Sequence, residues 1–367
     1  MKEKWEIKKL GEISEFINGF AFKSNLFLKV GFPIVRISNI KDEKVDLTDV
    51  VFFDKKDYVV DLSKYKVQQN DILIAMSGAT TGKIGIYLKN DEIYLNQRVG
   101  AIRTFNSVNN HFVFYFLKTK VEETLRLAAG VAQPNIGSEQ IKSYEIPIPP
   151  LPIQEAIVKE LDILHRLKNL QEQQLVEYDN LAQSTFYSMF GDPIENEKGW
   201  EVRKLGEIAN LKAGQFVQAK DILPFNKNLF PCFGGNGLRG FTHSYTHEGS
   251  FVLIGRQGAL CGNVKIANGK FHATEHAVVC SPVTSYDTIW LFFTLDELNL
   301  NKLATGAAQP GLAVGNLEKV DLPFPPLSLQ TSFAKRIEKI EAQKDLIKQA
   351  IAETQLLINY TMDKYFG

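Results

Sequence analysis

The stretch LPIQEAIVKELDILHRLKNLQEQQLVEYDNLAQSTFYSMF, Leu151 to Phe190, returns 176 residues later without a gap as LSLQTSFAKRIEKIEAQKDLIKQAIAETQLLINYTMDKYF, Leu327 to Phe366. Both copies follow a Pro-Pro pair, Pro149-Pro150 and Pro325-Pro326, and both end in Phe-Gly, Phe190-Gly191 and Phe366-Gly367. Shared boundaries at both ends mark a duplication. The fold must therefore accommodate the same long element twice.

Each copy has the pattern of a long amphipathic helix. In the first, Ile153, Ile157, Leu161, Leu164, Leu175, Tyr178, Ala182 and Met189 recur at helical spacing, interrupted by a polar stretch around Lys168 and Gln171. In the second, Phe333, Ile337, Ile340, Ile347, Ile351 and Ile358 lie on one stripe. So narrow a stripe suits a coiled-coil seam. Proline ahead of each run marks the start, because its fixed backbone angle and missing N–H suit a first helical turn. Each rod would span roughly 55 to 60 Å at helical rise. It cannot bury its stripe alone, and its nearest partner is the other copy, in an antiparallel pair. Each Leu or Ile buried there would contribute roughly 1.5 to 3 kcal/mol.

The duplication reaches beyond the helices. WEIKKLGEI from Trp5 returns as WEVRKLGEI from Trp200, 195 residues on, and DILIAMSGATTGKIGIY aligns with SFVLIGRQGALCGNVKI around Gly78/Gly258 and Gly82/Gly262 at an offset of 180. The falling offsets make the second lobe shorter by 19 residues between its Trp and its Gly-x-Ala-Gln-Pro loop, which begins at Gly130 in the first lobe and Gly306 in the second. Five segments follow: a lobe at 1–150, a helix at 151–190, a linker at 191–199, a lobe at 200–326 and a helix at 327–367. A packed seam tolerates no insertions, whereas lobes with different targets need different loops. Within the lobes, short β-branched runs bounded by Gly, Asn and Asp predict strands at Phe32 to Ile40, Asp71 to Met76, Lys83 to Leu88 and Val99 to Arg103, with SFVLIG, GNVKIA and HAVVCS in the second half. Helices are expected at Val108 to Lys120 and Tyr286 to Leu298. The expected fold class is α+β: two pseudo-twofold-related α+β domains joined by two long antiparallel coiled-coil helices.

Composition sets bounds on function. The chain has 367 residues, 44% of them hydrophobic, enough for two or three ordinary cores. No run of apolar residues is long enough to span a membrane and the N-terminus MKEKWEIKKL has no apolar signal core, so a soluble cytoplasmic protein is expected. Three cysteines, Cys232, Cys261 and Cys280, show no CxxC spacing. The formal charge is zero, yet residues 151–199 carry 4 basic and 9 acidic groups against 21 and 18 in residues 1–150. Acidity concentrates on the first helix and leaves the lobes mildly basic, compatible with phosphate affinity.

Several motifs invite catalytic readings. Gly78-Ala-Thr-Thr-Gly82-Lys83 resembles a phosphate loop, but it has three residues between its glycines where that loop has four, and Ile84 where Ser or Thr would hold magnesium. The matching Gly258 to Asn263 loop also lacks the lysine. A glycine-permitted turn between two strands fits both. His272, His276 and Cys280 share a spacing that could align them on one face, but a metal site needs three or four converging ligands, and structural or groove-facing imidazoles explain them better. No carboxylate pair stands in an acid/base context. The Pro-Pro pairs lack the polar residue before and the aromatic after that an amino-methyltransferase motif requires.

Across its full length the chain resembles a specificity subunit of a type I restriction-modification system. The residues that carry the resemblance are GFAFKS (Gly19 to Ser24), RISNI (Arg36 to Ile40), SGATTGKIG (Ser77 to Gly85) and AQPNIGSEQIKSYEIPIPPLPIQ (Ala132 to Gln154) in the first half. In the second they are FGGNGLRGFTHSY (Phe233 to Tyr245), LIGRQGALCG (Leu253 to Gly262), ATEHAVV (Ala273 to Val279) and AQPGLAVGNLEKVDLPFPPLSLQ (Ala308 to Gln330). The resemblance implies a non-catalytic reader of double-stranded DNA whose two target-recognition domains each take one half of a split, asymmetric site, with the helix pair fixing the gap. It implies recruitment of two methyltransferase subunits and, in some systems, restriction subunits. S-adenosylmethionine, ATP and magnesium would then belong to those partners, and this chain would bind no cofactor of its own. Residues suited to base edges or phosphates are Lys23, Arg36, Thr80, Lys83, Gln97 and Arg98 in the first lobe and Asn236, Arg239, Arg256, Gln257, His272 and His276 in the second. Outward charges such as Glu160, Arg166, Glu172, Lys335, Glu338 and Lys348 are candidates for partner docking. The other reading from residues alone is a protein-binding adaptor with duplicated lobes on a coiled-coil spacer, to be told apart by the salt dependence of duplex binding.

Overall fold

The computed structural model describes residues 5–78, 81–127, 135–258, 260–305 and 310–367. Two compact units divide the chain, Met1–Leu170 with Ile351–Gly367 and Gln171–Ala350, so each long helix is shared between them. The helices span Leu151–Phe190 and Leu327–Phe366. These are the bounds that the prolines and the Phe-Gly ends predicted.

In the first unit the N-terminal half of the first long helix lies beside the last turns of the second. Ile157, Val158, Leu161 and Leu164 share one core with Ile358, Met362 and Phe366 and with Phe112 and Phe116 of the lobe. The Phe366 ring sits 5.1 Å from that of Phe112, and the Tyr365 hydroxyl donates to Glu160 at 2.8 Å. In the second unit the C-terminal half of the first helix lies beside the start of the second: Phe186 and Phe190 pack on Phe333, and Lys344 pairs with Asp179 at 2.6 Å. The two helices therefore run antiparallel. The apolar seam expected along their length is fully buried only towards the ends, and midway Leu175, Tyr178, Ile347 and Ile351 are half-buried. No side chain in residues 165–181 or 341–353 is fully buried. Lys168, Gln171 and Lys344 interrupt the stripe there, and each helix end buries its apolar face on a lobe as well as on the other helix.

The first lobe carries a six-stranded sheet in the order Ser14–Asn18, Val99–Thr104, Ile72–Ala75, Ile84–Ile86, Lys44–Val45, Ile40–Lys41. A four-stranded sheet adds Val51–Phe53, Phe32–Val35, Ile93–Leu95 and Lys66–Val67, covered by an aromatic cluster that includes Phe22, Phe53, Tyr58 and Tyr94. The second lobe has one six-stranded sheet, Ala209–Ala213, Ala277–Pro282, His247–Gly255, Val264–Ala273, Phe230–Gly234, Gly237–Thr242. Two strands of the four-stranded sheet, Phe32–Val35 and Ile93–Leu95, pair in parallel as Phe230–Gly234 and Val264–Ala273 do in the second lobe. A two-stranded ribbon closes each lobe where it meets its long helix, Glu6–Lys9 with Glu145–Ile148 and Val202–Lys204 with Asp321–Pro323.

The expected strands are present, with one correction. The run from Phe32 leaves the sheet at Val35 and does not reach Ile40, because the Asn39 side-chain carbonyl accepts the Arg36 N–H at 2.9 Å and folds residues 37–39 into a helical turn. The lobe helices run Asn110–Leu127 and Thr288–Glu297, so the first extends a further turn or more and the second starts where Asp287 accepts the Ile289 N–H.

Candidate nucleic-acid interface

The two lobes present their glycine-rich loops on one shared backbone frame. In the first lobe the Met76 N–H donates to Arg98 O, Asn96 N–H to Val35 O, Gly82 N–H to Ala75 O, and Ile136 N–H to Met76 O. In the second the corresponding donors are Arg256 to His276, Thr274 to Phe233, Gly262 to Gly255, and Leu312 to Arg256. All eight bonds lie between 2.7 and 3.0 Å. The frame gathers four loops per lobe and fixes which positions correspond: Arg36 with Gly234, Met76 with Arg256, Lys83 with Asn263, Gln97 with Glu275, and Arg98 with His276.

Glycine is required where this frame is tightest. A Cβ on Gly19 would lie 2.0 Å from Asn96 O, and one on Gly214 would lie 2.1 Å from Ala273 O, so no side chain fits between these loops. Gly82 and Gly262 hold φ of +84° and +89° and close turns in which Thr81 N–H donates to Gly78 O and Cys261 N–H to Gly258 O. The segment that resembled a phosphate loop is thus a turn between strands Ile72–Ala75 and Ile84–Ile86, the alternative the sequence favoured.

In the first lobe Arg36, Gln97 and Arg98 come together on the frame, Arg36 half-buried with its Nε unpartnered and the other two exposed. Thr80 lies outside the described residues. Lys23 is exposed beside the aromatic cluster, its backbone N–H donating to the Tyr58 hydroxyl. Lys83 is exposed and lines a cavity of about 470 Å³ together with Asp42, Glu43, Lys118 and Glu122. Its neighbours come from distant segments, and Glu43 among them is paired with Lys118.

In the second lobe Arg256, Gln257 and His276 lie on the frame. Asn236 accepts from the Asn263 side chain at 2.7 Å at the turn of the outer hairpin. Arg239 reaches back over Gly234, where its Cδ would stand 2.4 Å from an added Cβ. Its aliphatic stem therefore occupies the space that a side chain on Gly234, the position corresponding to Arg36, would need. His272 is buried, and its Nε2 lies 3.2 Å from Gln215 O; a carbonyl only accepts, so Nε2 carries the proton and Nδ1 has no partner. Cys280 lies two strands over, fully buried and in register with Leu211 and Val252, and burial pushes its thiol up to about 12. Among the described residues no three metal-ligating side chains converge.

Sequence reasoning passed over Thr274 and Glu275. Thr274 is fully buried with an unpartnered hydroxyl, and Glu275 places one carboxylate oxygen 3.1 Å from His276 Nε2 while its other oxygen is buried and unpartnered. Arg256 Nε and His276 Nδ1 are also buried and unpartnered, and the Arg256 N–H bond to His276 O ties these two segments together. Buried polar atoms without partners are costly, and this concentration of them lies where the frame joins the Arg256 and His276 loops. The signal in the sequence was the alignment of ATEHA with the segment holding Gln97 and Arg98.

The family model for the type I restriction modification DNA specificity domain matches residues 2–178 and 197–355. The chain is similar to the EcoprrI type I restriction enzyme specificity subunit of Escherichia coli, 34% identical over 251 residues that make up 65% of this chain and 62% of that one. It is similar to the putative MjaX type I restriction enzyme specificity subunit of Methanocaldococcus jannaschii, 27% identical over 94% of this chain and 88% of that one. Among solved structures, the type I restriction-modification S subunit from M. genitalium aligns over 100% of this chain and 97% of its own, with TM-score 0.64 and 17% identity. A chain from the type I R-M system, solved for its complex assembly and conformational transition, aligns over 100% and 98% with TM-score 0.66 and 19% identity. These likenesses show the fold.

Proposed function

This chain belongs to the type I restriction-modification DNA specificity family, and from that premise we propose that it is the non-catalytic DNA-reading subunit of a methyltransferase complex, with each lobe reading one half of a bipartite, asymmetric target. The observation that carries the proposal is the repeated frame with unlike side chains: one backbone scaffold presents Arg36, Met76, Gln97 and Arg98 in one lobe and Gly234, Arg256, Glu275 and His276 in the other. Identical scaffolds with different hydrogen-bonding groups suit two different base sequences. The recognition domains of the proposal are residues 1–150 and 200–326, with DNA contacts drawn from the residues named above.

Recruitment of two methyltransferase subunits is part of the same proposal. On the long-helix segments of the first unit Ile163, Leu170, Leu356 and Tyr360 are each more than half exposed, with Glu160 and Arg166 exposed on the same helix as Ile163; on those of the second unit Val176, Lys335 and Glu338 are exposed. Apolar side chains at this density, rimmed by charge, suit a protein partner. S-adenosylmethionine would act on the methyltransferase, and ATP and magnesium on a restriction subunit where one joins. No helix among the described residues is long and apolar enough to cross a membrane.

Co-purification with a methyltransferase, followed by mapping of methylated adenines, tests the proposal. Methylation confined to a split, asymmetric motif supports it. Duplex binding without salt dependence, or methylation unchanged when this chain is omitted, overturns it.

A further inference from the structure

Gln97 and Glu275 occupy the same place on the frame, each one residue before the carbonyl, Arg98 O or His276 O, that accepts the Met76 or Arg256 N–H. Both lie at the rim of their lobe's loops: Gln97 is exposed, and the Glu275 side chain is 32% exposed. A carboxylate at a DNA-facing rim is repelled by phosphates, so it is tolerated where basic neighbours hold it and a donor waits for it. Glu275 has the neighbours. His276 engages one oxygen at 3.1 Å, and Arg256, with its Nε unpartnered, is drawn in by the hydrogen bond from its backbone N–H to His276 O. The second oxygen is buried, so the oxygen beside His276, which keeps a lone pair beyond the one His276 engages, is the one left to reach a donor.

Base edges in the major groove offer two amino donors, cytosine N4 and adenine N6. Adenine N6 sits beside N7, an acceptor that repels a group able only to accept; cytosine N4 has no such neighbour on that edge. A carboxylate therefore selects cytosine, while an amide, accepting through its oxygen and donating through its nitrogen, selects adenine. We infer that Gln97 and Glu275 are equivalent specificity-determining residues, Gln97 selecting adenine in the first half-site and Glu275 selecting cytosine in the second. The inference rests on the DNA-reading proposal and adds to it one base at each of two positions.

Selection from a randomised duplex library by the chain assembled with its methyltransferase partner tests it. Glu275→Gln is expected to change one position of the second half-site from C to A, by roughly tenfold in preference, with the first half-site unchanged. Gln97→Glu is expected to make the reciprocal change, A to C, at one position of the first half-site, which keeps the inference testable if either variant folds poorly. A motif unaltered in both variants, or a uniform loss of affinity without a change of base, overturns the inference while leaving the DNA reading intact. A wild-type complex that enriches no bipartite motif overturns the DNA reading itself, and the inference with it.

Discussion

The side-chain carbonyl of Gln154 accepts the backbone N–H of Asn109 at 2.9 Å while its amide donates to Pro149 O at 2.8 Å. Gln330 repeats this at 2.8 Å from Asp287 N and 2.7 Å from Pro325 O. Both glutamines are at most 1% exposed. Each ties the start of a long helix to the residue that begins its lobe's own helix, so the rod leaves the lobe in a fixed direction. Substituting Gln154→Ala orphans a buried N–H and a buried carbonyl, and about 1–3 kcal/mol should be lost for each. Urea denaturation should show the midpoint falling for Gln154→Ala and Gln330→Ala alike; an unchanged midpoint would remove these residues from the anchor.

A second polar anchor lies inside the first lobe. Asp71 is 1% exposed and receives both Arg103 Nε at 2.9 Å and Nη2 at 2.7 Å, with the Gln68 N–H at 2.7 Å. Such a forked pair fixes strand Val99–Thr104 against the turn before Ile72. Removing the carboxylate by Asp71→Ala leaves a half-buried guanidinium without its counter-charge, and about 3–5 kcal/mol of destabilisation is expected. Asp71→Asn, which keeps an acceptor, should cost less in the same thermal or urea measurement.

The long helices were legible to the residue because prolines and glycines mark backbone events that depend only on local chain geometry. Where Phe32 to Ile40 was read as one strand, the outcome depended on a side chain, Asn39, competing with the sheet for the Arg36 N–H, which hydrophobic alternation does not register. The glycine loops were legible as turns. What they gather was only partly so. Arg36 and Arg98 stood out as cations, but Glu275 did not, since a carboxylate argues against DNA until the frame places it opposite Gln97. Lys83 shows the converse: its neighbours Glu43 and Glu122 lie about forty residues away on either side, and only tertiary packing brings their charge to it.

Acid sensitivity should arise partly at His165. Its ring stacks on Tyr115, 5.5 Å between centroids, and burial, with Lys118 nearby, holds its pKa below the ordinary 6.5. The folded state thus favours the neutral ring, and the unfolded chain binds more protons as pH falls. This contribution is fully present above 6.5 and is lost as pH drops through 6.5 toward the folded pKa. Chemical denaturation across about pH 7.5 to 5 should show the wild type losing more stability than His165→Gln, which cannot titrate. Parallel pH profiles would exclude His165 from the effect.

Arg256 separates base reading from phosphate attachment. Its backbone is locked on both sides, N–H to His276 O at 3.0 Å and C=O from the Leu312 N–H at 2.8 Å, so truncating the side chain should leave the frame in place. The corresponding residue of the first lobe is Met76, which the same frame accommodates without a charge, and Arg256→Met should therefore fold as well as Arg256→Ala. If the guanidinium reads a base, both variants weaken binding by about 1–3 kcal/mol at one position of the second half-site and leave the salt slope near its original value. If it holds a phosphate, the loss is uniform across sequences and the slope falls by about one. Its half-buried place on the frame, bonded through its backbone to His276, favours the first outcome. Binding of the assembled complex to duplexes varied one base at a time, at two salt concentrations, distinguishes the two.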